Sequence, residues 1–390
     1  MSLNDPSPTL NQKAIYLDFA ASTPIDQSVA SAMHNAEKYF ANPSAQYASS
    51  RSAKDLLSNA RKKCAMFLQC NNDEIIFTSG STESNNIAIQ GSVMARKTAR
   101  VISIASEHSS VIQPLEFLAS RGYDVIYSKI NSKGQMDLDE FAKSLNDETA
   151  LVTLAYANSE IGNVQPIGKI AQIIKSYNAS RNTKILFHTD ASAAAISLSC
   201  DVARLGVDLL TIGGAKIYGP RSGGLLFVKR NTNLQPLLYG GSQENGIRPG
   251  TESIDSAVGM AEALGVIKNR RKEDLTKFKN LHKLFFQELE NKSIAYIYNG
   301  HPKDKIYNVA NISLDGFSGE DLVARLDALG FEVATGAACE ASNDKPSRAL
   351  VALGRTRAEA QGSLRVSFGR DTKEESIKRF IEALSGIIRP

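Results

Sequence analysis

The segment Asp208–Pro220, DLLTIGGAKIYGP, sets one lysine, Lys216, between an apolar strand pattern and a glycine–proline turn. Burial at a strand end lowers the pKa of an ammonium and makes the amine a nucleophile, the chemistry of a lysine that condenses with a carbonyl-bearing cofactor as a Schiff base. A surface lysine entering a turn has the same local pattern. The choice therefore depends on what the other strand ends carry.

Phe77–Asn86, FTSGSTESNN, reads as a strand, a tight glycine turn and a helix that opens on hydroxyl residues. The first N–H groups of a helix lack internal partners and lie at the positive end of its dipole. Gly80 lets a phosphate approach closely, and Ser81 and Thr82 add hydroxyl donors. A plain capping box has the same spacing. No GxGxxG follows the early strands, which argues against a nicotinamide dinucleotide. Ile185–Ser192, ILFHTDAS, puts Asp190 just past a buried-strand pattern, where a carboxylate could keep a pyridine nitrogen protonated; a helix N-cap is the plainer role. His108 in SEHSSV follows the strand pattern Val101–Ala105, a place for ring stacking and proton transfer. Asn158 in YANSEIGN follows Ala150–Ala155 and offers an amide. Each signal is modest alone, but all five follow successive strands and fall on one edge.

The elements that would hold these residues alternate. Strand patterns at Glu74–Thr78, Val101–Ala105, Asp124–Ser128, Ala150–Ala155, Lys184–His188, Leu209–Ile212 and Leu225–Val228 are separated by amphipathic stretches such as Thr82–Ala95, Ser109–Ser120 and Gly168–Tyr177. Such alternation implies a largely parallel, doubly covered sheet with its site at the carboxyl ends of the strands. A long helical region, Ser256–Asn291, reads as a connector. Beyond it, Val309–Leu314, Gly319–Leu329, Glu332–Ala334, Pro346–Leu353, Leu364–Phe368 and Glu374–Ile388 imply a smaller α+β unit. The expected division is a large domain over 15–255, a small C-terminal domain over 256–390 and an N-terminal arm over 1–14.

Composition fits this plan and excludes other classes. A chain of 390 residues, 42% hydrophobic and 22% charged, is ordinary for a globular protein of two domains. A net charge of +4 without a dense basic block leaves no footprint for direct nucleic-acid binding. No apolar run approaches the roughly 20 residues of a membrane span, and the polar N-terminus has no signal-peptide core. Cys64, Cys70, Cys200 and Cys339 form no CxxC pair, which fits a reducing cytoplasm.

Taken together, TSGSTESNN, EHSSV, NSEIG, HTDAS, AKIYGP, RPGTES and TGAAC closely resemble the cysteine desulfurases, pyridoxal 5′-phosphate enzymes of fold-type I in the class-V aminotransferase group. The likeness runs from Tyr16–Pro24 to Leu364–Arg370. It implies an α/β fold whose large domain has a mainly parallel sheet covered by helices, with a smaller α+β C-terminal domain. It implies conversion of L-cysteine to L-alanine, with Lys216 binding the cofactor, Asp190 on its ring nitrogen, His108 stacking and moving protons, and Asn158 contacting cofactor and substrate. Gly80, Ser81 and Thr82 would hold the phosphate. Arg365 would grip the substrate carboxylate with its planar fork. Thr251 would reach the phosphate across a homodimer interface.

The resemblance makes Cys339 the nucleophile that receives sulfur as a persulfide and passes it to acceptors such as an iron–sulfur scaffold or a tRNA-thiolation partner. Its Gly/Ala-rich context reads as a mobile loop, whereas Cys64, Cys70 and Cys200 read as structural. Three positions depart from the family pattern. Ala193 replaces a glutamine, and Gly213 and Ala215 replace a serine and a histidine that face the phosphate. A lost hydrogen bond to a charged group costs about 1.5–3 kcal/mol, so weaker cofactor retention is expected. Selenocysteine lyase, or a homologue that binds sulfur-transfer partners with weakened catalysis, is the alternative reading.

Overall fold

The computed structural model describes residues 14–181, 184–336 and 346–389; Cys339 lies outside the described residues. The N-terminal half forms β1 (Ile15–Tyr16), α1 (Gln27–Ala36), α2 (Ala48–Leu68), β2 (Ile75–Thr78), α3 (Ser81–Val93), β3 (Arg100–Ile104), α4 (Ser109–Ser120), β4 (Asp124–Ser128), α5 (Leu138–Ser144) and β5 (Thr149–Ala155). There follow α6 (Ile167–Arg181), β6 (Leu186–Asp190), α7 (Val202–Leu205), β7 (Leu209–Gly213), β8 (Gly224–Val228) and the connector α8 (Ile254–Asn291). The C-terminal part holds β9 (Ile297–Tyr298), β10 (Val309–Ser313), α9 (Gly319–Ala328), β11 (Phe331–Glu332), α10 (Arg348–Ala352), α11 (Arg357–Gln361), β12 (Ser363–Ser367) and α12 (Glu374–Ile388).

The central sheet has the order β2-β8-β7-β6-β5-β3-β4. Its pairs are parallel except for β8, which runs antiparallel to both β2 and β7. The α/β architecture with a mainly parallel sheet is therefore the observed one. Since β8 is reversed between them, β2 and β7 point the same way. The carboxyl ends Thr78, Ile104, Ala155, Asp190 and Gly213 consequently share one edge. Strands β5 to β8 are buried along nearly their whole length because helices cover both faces.

Most strand boundaries differ from expectation by one or two residues, and β6 and β3 show why. β6 runs Leu186–Asp190 rather than Lys184–His188, because parallel pairing continues through Asp190, opposite Ala155 and Thr211. β3 begins at Arg100 and ends at Ile104, since Arg100 still pairs with Asp124 and Thr149. Polar residues at the strand ends hide these extensions from a reading based on apolar runs.

Under the site, His188 spans three strands. Its Nδ1 lies 2.8 Å from Thr153 Oγ1 on β5 and its Nε2 lies 3.1 Å from Thr211 Oγ1 on β7. Complete burial pushes its pKa down to about 4, so the ring is neutral at physiological pH.

Two large apolar clusters share helix α8. The first includes Ala257, Met260 and Leu264 of α8; the second includes Phe278, Leu281, Phe285 and Leu289 of the same helix. At 38 residues, α8 is about 57 Å long, enough to serve both. We retain residues 15–255 and 256–390 as the proposed domains, with α8 as the connector. Leu17 and Phe19, near the chain start, pack into the second cluster, and β1 pairs with β11.

His188 gives the fold a defined acid sensitivity. Its folded pKa is below that of the unfolded chain, so the unfolded state binds the extra proton first. Stability should be complete above about pH 6.5 and fall by on the order of 3 kcal/mol toward pH 4 from this group. His188→Gln can keep a bond to each threonine while removing the titration. Chemical denaturation at pH 7 and pH 5 should show a smaller difference for that variant than for the parent protein. Equal differences would exclude His188 as a source.

Candidate active site

One cleft at the carboxyl edge of the sheet is lined by Ser81, His108, Asn158, Asp190 and Lys216, together with Ser106, Glu107, Ser192, Ala193 and Arg348. Five residues from five separate sequence motifs thus meet in one place. Gly80 is the N-cap of α3 and Thr82 follows Ser81 in its first turn, but Thr82 is exposed and faces a neighbouring groove. Thr251 is exposed on the segment before α8 and does not line this cleft. Arg365 is only 1% exposed and also lies outside the lining.

Lys216 ends a short turn that begins directly after β7. It is half-buried, and its Nζ donates to Ala20 O at 3.1 Å. The turn is fixed by Thr23, whose N–H and Oγ1 both bond Ala215 O, at 2.8 and 3.0 Å, and whose Oγ1 accepts from Tyr218 N at 2.7 Å. Tyr218 adopts a left-handed backbone, φ 58, which a bulky residue tolerates only where its surroundings hold it. Here the Arg370 guanidinium covers its ring at 4.2 Å, and Arg370 N donates to Tyr218 Oη at 2.7 Å.

Asp190 is the last residue of β6, and both of its oxygens are engaged. Oδ1 accepts from Ser192 N and Oδ2 from Asn85 Nδ2, each at 2.8 Å. Asn85 Nδ2 also donates to Ser110 Oγ at 2.9 Å. Ser110 Oγ lies 2.9 Å from His108 Nδ1, which accepts from Ser110 N at 3.1 Å. Because Asn85 donates to the Ser110 hydroxyl oxygen, the hydroxyl proton is free to point at His108. Nδ1 then receives both Ser110 donors, and the neutral ring carries its proton on Nε2. A continuous line of hydrogen bonds therefore runs from Asp190 through Asn85 and Ser110 to His108.

Asn85 escaped the sequence reading. The available signal was its spacing, four residues after Ser81, which puts both on one face of α3. Glu107 was also missed, although it adjoins His108. It is 4% exposed and accepts from Ala155 N at 3.0 Å. Burial, with a smaller contribution from Asp190, pushes its pKa up to about 8, so it is mostly protonated at neutral pH and places no second negative charge beside Asp190.

Burial first, and the Lys216 ammonium second, hold the His108 pKa below the usual histidine range, while Asp190 acts against them. Asn158 uses Nδ2 to bond Ser106 O at 2.7 Å and Oδ1 to accept from Glu160 N and Ile161 N, which fixes its loop across the cleft. Arg365 donates from a terminal nitrogen to Asp18 Oδ1 at 2.7 Å. Its Nε is buried without a partner among the described residues, and a carboxylate would satisfy it. Cys64, Cys70 and Cys200 have thiol pKa values pushed up to about 12 by burial, which leaves them poor nucleophiles.

Comparisons with known proteins agree on a family. The class-V aminotransferase model matches residues 15–380. A protein of Dictyoglomus turgidum named cysteine desulfurase IscS is 36% identical over 381 residues, covering 97% of this chain and 95% of that protein. Cysteine desulfurase IscS 1 of Archaeoglobus fulgidus is 34% identical, covering 96% of each. Among solved structures, a NifS-like protein superposes with a TM-score of 0.89 at 26% identity, covering 96% of this chain and 99% of that one. A structure described as SspA in complex with cysteine has a TM-score of 0.80 at 31% identity, covering 90% and 98%.

The electrostatics of the cleft can be read directly. Lys216→Ala removes the second cause of the lowered His108 pKa, so that pKa should rise while burial still holds it below the usual range. An NMR titration of the histidine ring signals, assigned with His108→Gln, measures it. An unchanged titration would mean that the Lys216 charge does not reach the ring.

Proposed function

The chain belongs to the class-V aminotransferase family and, within it, to the cysteine desulfurases, and from that premise we propose that it converts L-cysteine to L-alanine with pyridoxal 5′-phosphate as cofactor and Cys339 as sulfur acceptor. The observation that carries this reading is the meeting of Ser81, His108, Asn158, Asp190 and Lys216 in one cleft at the carboxyl edge of the sheet.

The residues present fit the cofactor. Gly80, the N-cap of α3, supplies no side-chain cap, which leaves the first N–H groups of the helix to an anion. Gly224 keeps that turn tight, because a Cβ there would lie 2.6 Å from Gly80 Cα. Asp190, oriented by Asn85 and Ser192, suits a protonated pyridine nitrogen. Lys216 is the amine that would hold the carbonyl carbon. When bound, pyridoxal phosphate supplies an electron sink for negative charge at the substrate α-carbon.

The remaining chemistry belongs to the chain. Arg365 Nε would bind the substrate carboxylate and set its orientation. His108 would deliver a proton from Nε2, its Nδ1 being occupied by Ser110. The Cys339 thiolate would attack the substrate sulfur. The carbon–sulfur bond breaks, alanine retains the carbon skeleton, and the new sulfur–sulfur bond leaves a persulfide, so no external oxidant or reductant is consumed. The high pKa values of Cys64, Cys70 and Cys200 support giving this role to Cys339.

The persulfide sulfur would then pass to acceptor proteins such as an iron–sulfur scaffold. A homodimer would bring the exposed Thr251 to the partner's phosphate site. The exposed side chains of Phe40, Leu238 and Tyr239 support a further protein contact. Among the described residues no helix is long and apolar enough to cross a membrane.

Borohydride reduction followed by peptide mapping should place the pyridoxyl mass on the peptide that carries Lys216; a label on another lysine would refute the assignment. Cys339→Ser should retain the visible cofactor absorbance and lose both alanine formation and persulfide labelling. Undiminished alanine formation by that variant would exclude Cys339 as the nucleophile.

A further inference from the structure

Gly213 closes β7 three residues before Lys216, and its backbone gives no reason for a glycine: φ −99 and ψ 134 are ordinary strand values. Space is the reason. A Cβ on residue 213 would lie 2.9 Å from Ser81 Oγ, 3.0 Å from Ser81 Cβ and 3.3 Å from Ser81 N. Rotating the Ser81 hydroxyl would relieve the first contact and leave the other two. The strand cannot retreat, since Gly213 pairs with Gly224 on β8 and its N–H donates to Ser192 Oγ at 3.0 Å. Residue 81 therefore occupies the volume in which a side chain on 213 would stand.

The neighbouring hydroxyls are placed differently, Ser192 Oγ accepting from Gly213 N. Thr78 Oγ1 and Ser84 Oγ bond each other at 2.8 Å, and Thr82 is exposed outside the cleft lining. Ser81 lines the cleft on the uncapped first turn of α3, where an anion is drawn by the N–H groups and the helix dipole.

We propose that Ser81 Oγ is the side-chain hydroxyl that binds the cofactor phosphate in this chain, and that residues 81 and 213 form an either–or pair in which a hydroxyl comes from one position or the other. Gly213 is then not a lost donor. It is the vacancy that lets the donor sit on the helix instead of the strand. The weakening expected from the sequence at residue 213 is thereby cancelled, while Ala215 still contributes none. This inference rests on the cofactor reading above.

The test is an equilibrium titration of cofactor-free protein with pyridoxal phosphate, read by absorbance and by fluorescence quenching, for the parent, Ser81→Ala, Gly213→Ser and the double variant Ser81→Gly with Gly213→Ser. Ser81→Ala should lose about ten- to a hundredfold in affinity, the scale of one hydrogen bond to a charged group. Gly213→Ser alone should also bind more weakly, because the two side chains collide. The double variant should return to within about threefold of the parent, since glycine at 81 removes both the hydroxyl and the Cβ that a side chain on residue 213 would meet. Pyridoxal, which lacks the phosphate, should bind the parent and Ser81→Ala equally, a result that a general loss of structure would not give. Unchanged pyridoxal phosphate affinity in Ser81→Ala, or a double variant no tighter than Ser81→Ala, overturns the proposal and leaves the cofactor reading intact. A parent protein that binds no pyridoxal phosphate overturns both.

Discussion

The ion pair between Arg365 and Asp18 fixes the segment on which the geometry of the cleft depends. Arg365 is almost wholly buried on β12, and stripping a guanidinium of water costs several kcal/mol unless a partner is held in place. Asp18 provides that partner at 2.7 Å. The segment around it is stitched to β12 by Ser367 N donating to Leu17 O and by Ala20 N donating to Ser367 Oγ. The same segment then reaches the large sheet, where Ala20 O accepts from Lys216 Nζ and Thr23 bonds Ala215 and Tyr218. One short stretch near the chain start therefore sets the C-terminal sheet and the lysine turn in register with each other.

A second tie runs in parallel through Arg370. Its Nε donates to Asp274 on α8, another nitrogen donates to Asp26 ahead of α1, and its guanidinium covers the Tyr218 ring. The left-handed backbone at Tyr218 is thus held by the connector, the N-terminal segment and the C-terminal unit at once. This over-determination explains how a strained residue can persist two positions after Lys216.

Burial acts against the charged forms of two groups in the cleft. Glu107 is mostly protonated at neutral pH and His108 is mostly neutral, each because burial disfavours its charged form. Asp190 and Lys216 act on His108 in opposite directions, and Arg365 adds to the effect of the lysine. Asn85 suits the space between Asp190 and Ser110 because an amide nitrogen can donate to both without carrying a charge. A lysine there would bring a further cation into the cleft, and a carboxylate would repel Asp190.

Much of this was legible in the residues. Strand–helix alternation determined the mainly parallel sheet, because apolar runs covered on both faces must be separated by crossover helices. The motifs at successive strand ends placed Ser81, His108, Asn158, Asp190 and Lys216 at one edge, since parallel strands bring their carboxyl ends together. What depends on distant pairing was not legible. No local pattern announces that β8 inserts, reversed, between β2 and β7, or that β1 pairs with β11. The bond from Asn85 to Asp190 and the pair Arg365–Asp18 are side-chain meetings across the fold, which periodicity does not encode. Gly213 shows the difference most sharply. Read along the chain it is a missing donor; read in space it is the room taken by Ser81, because only the packing of α3 on β7 decides which neighbour fills a glycine's empty side.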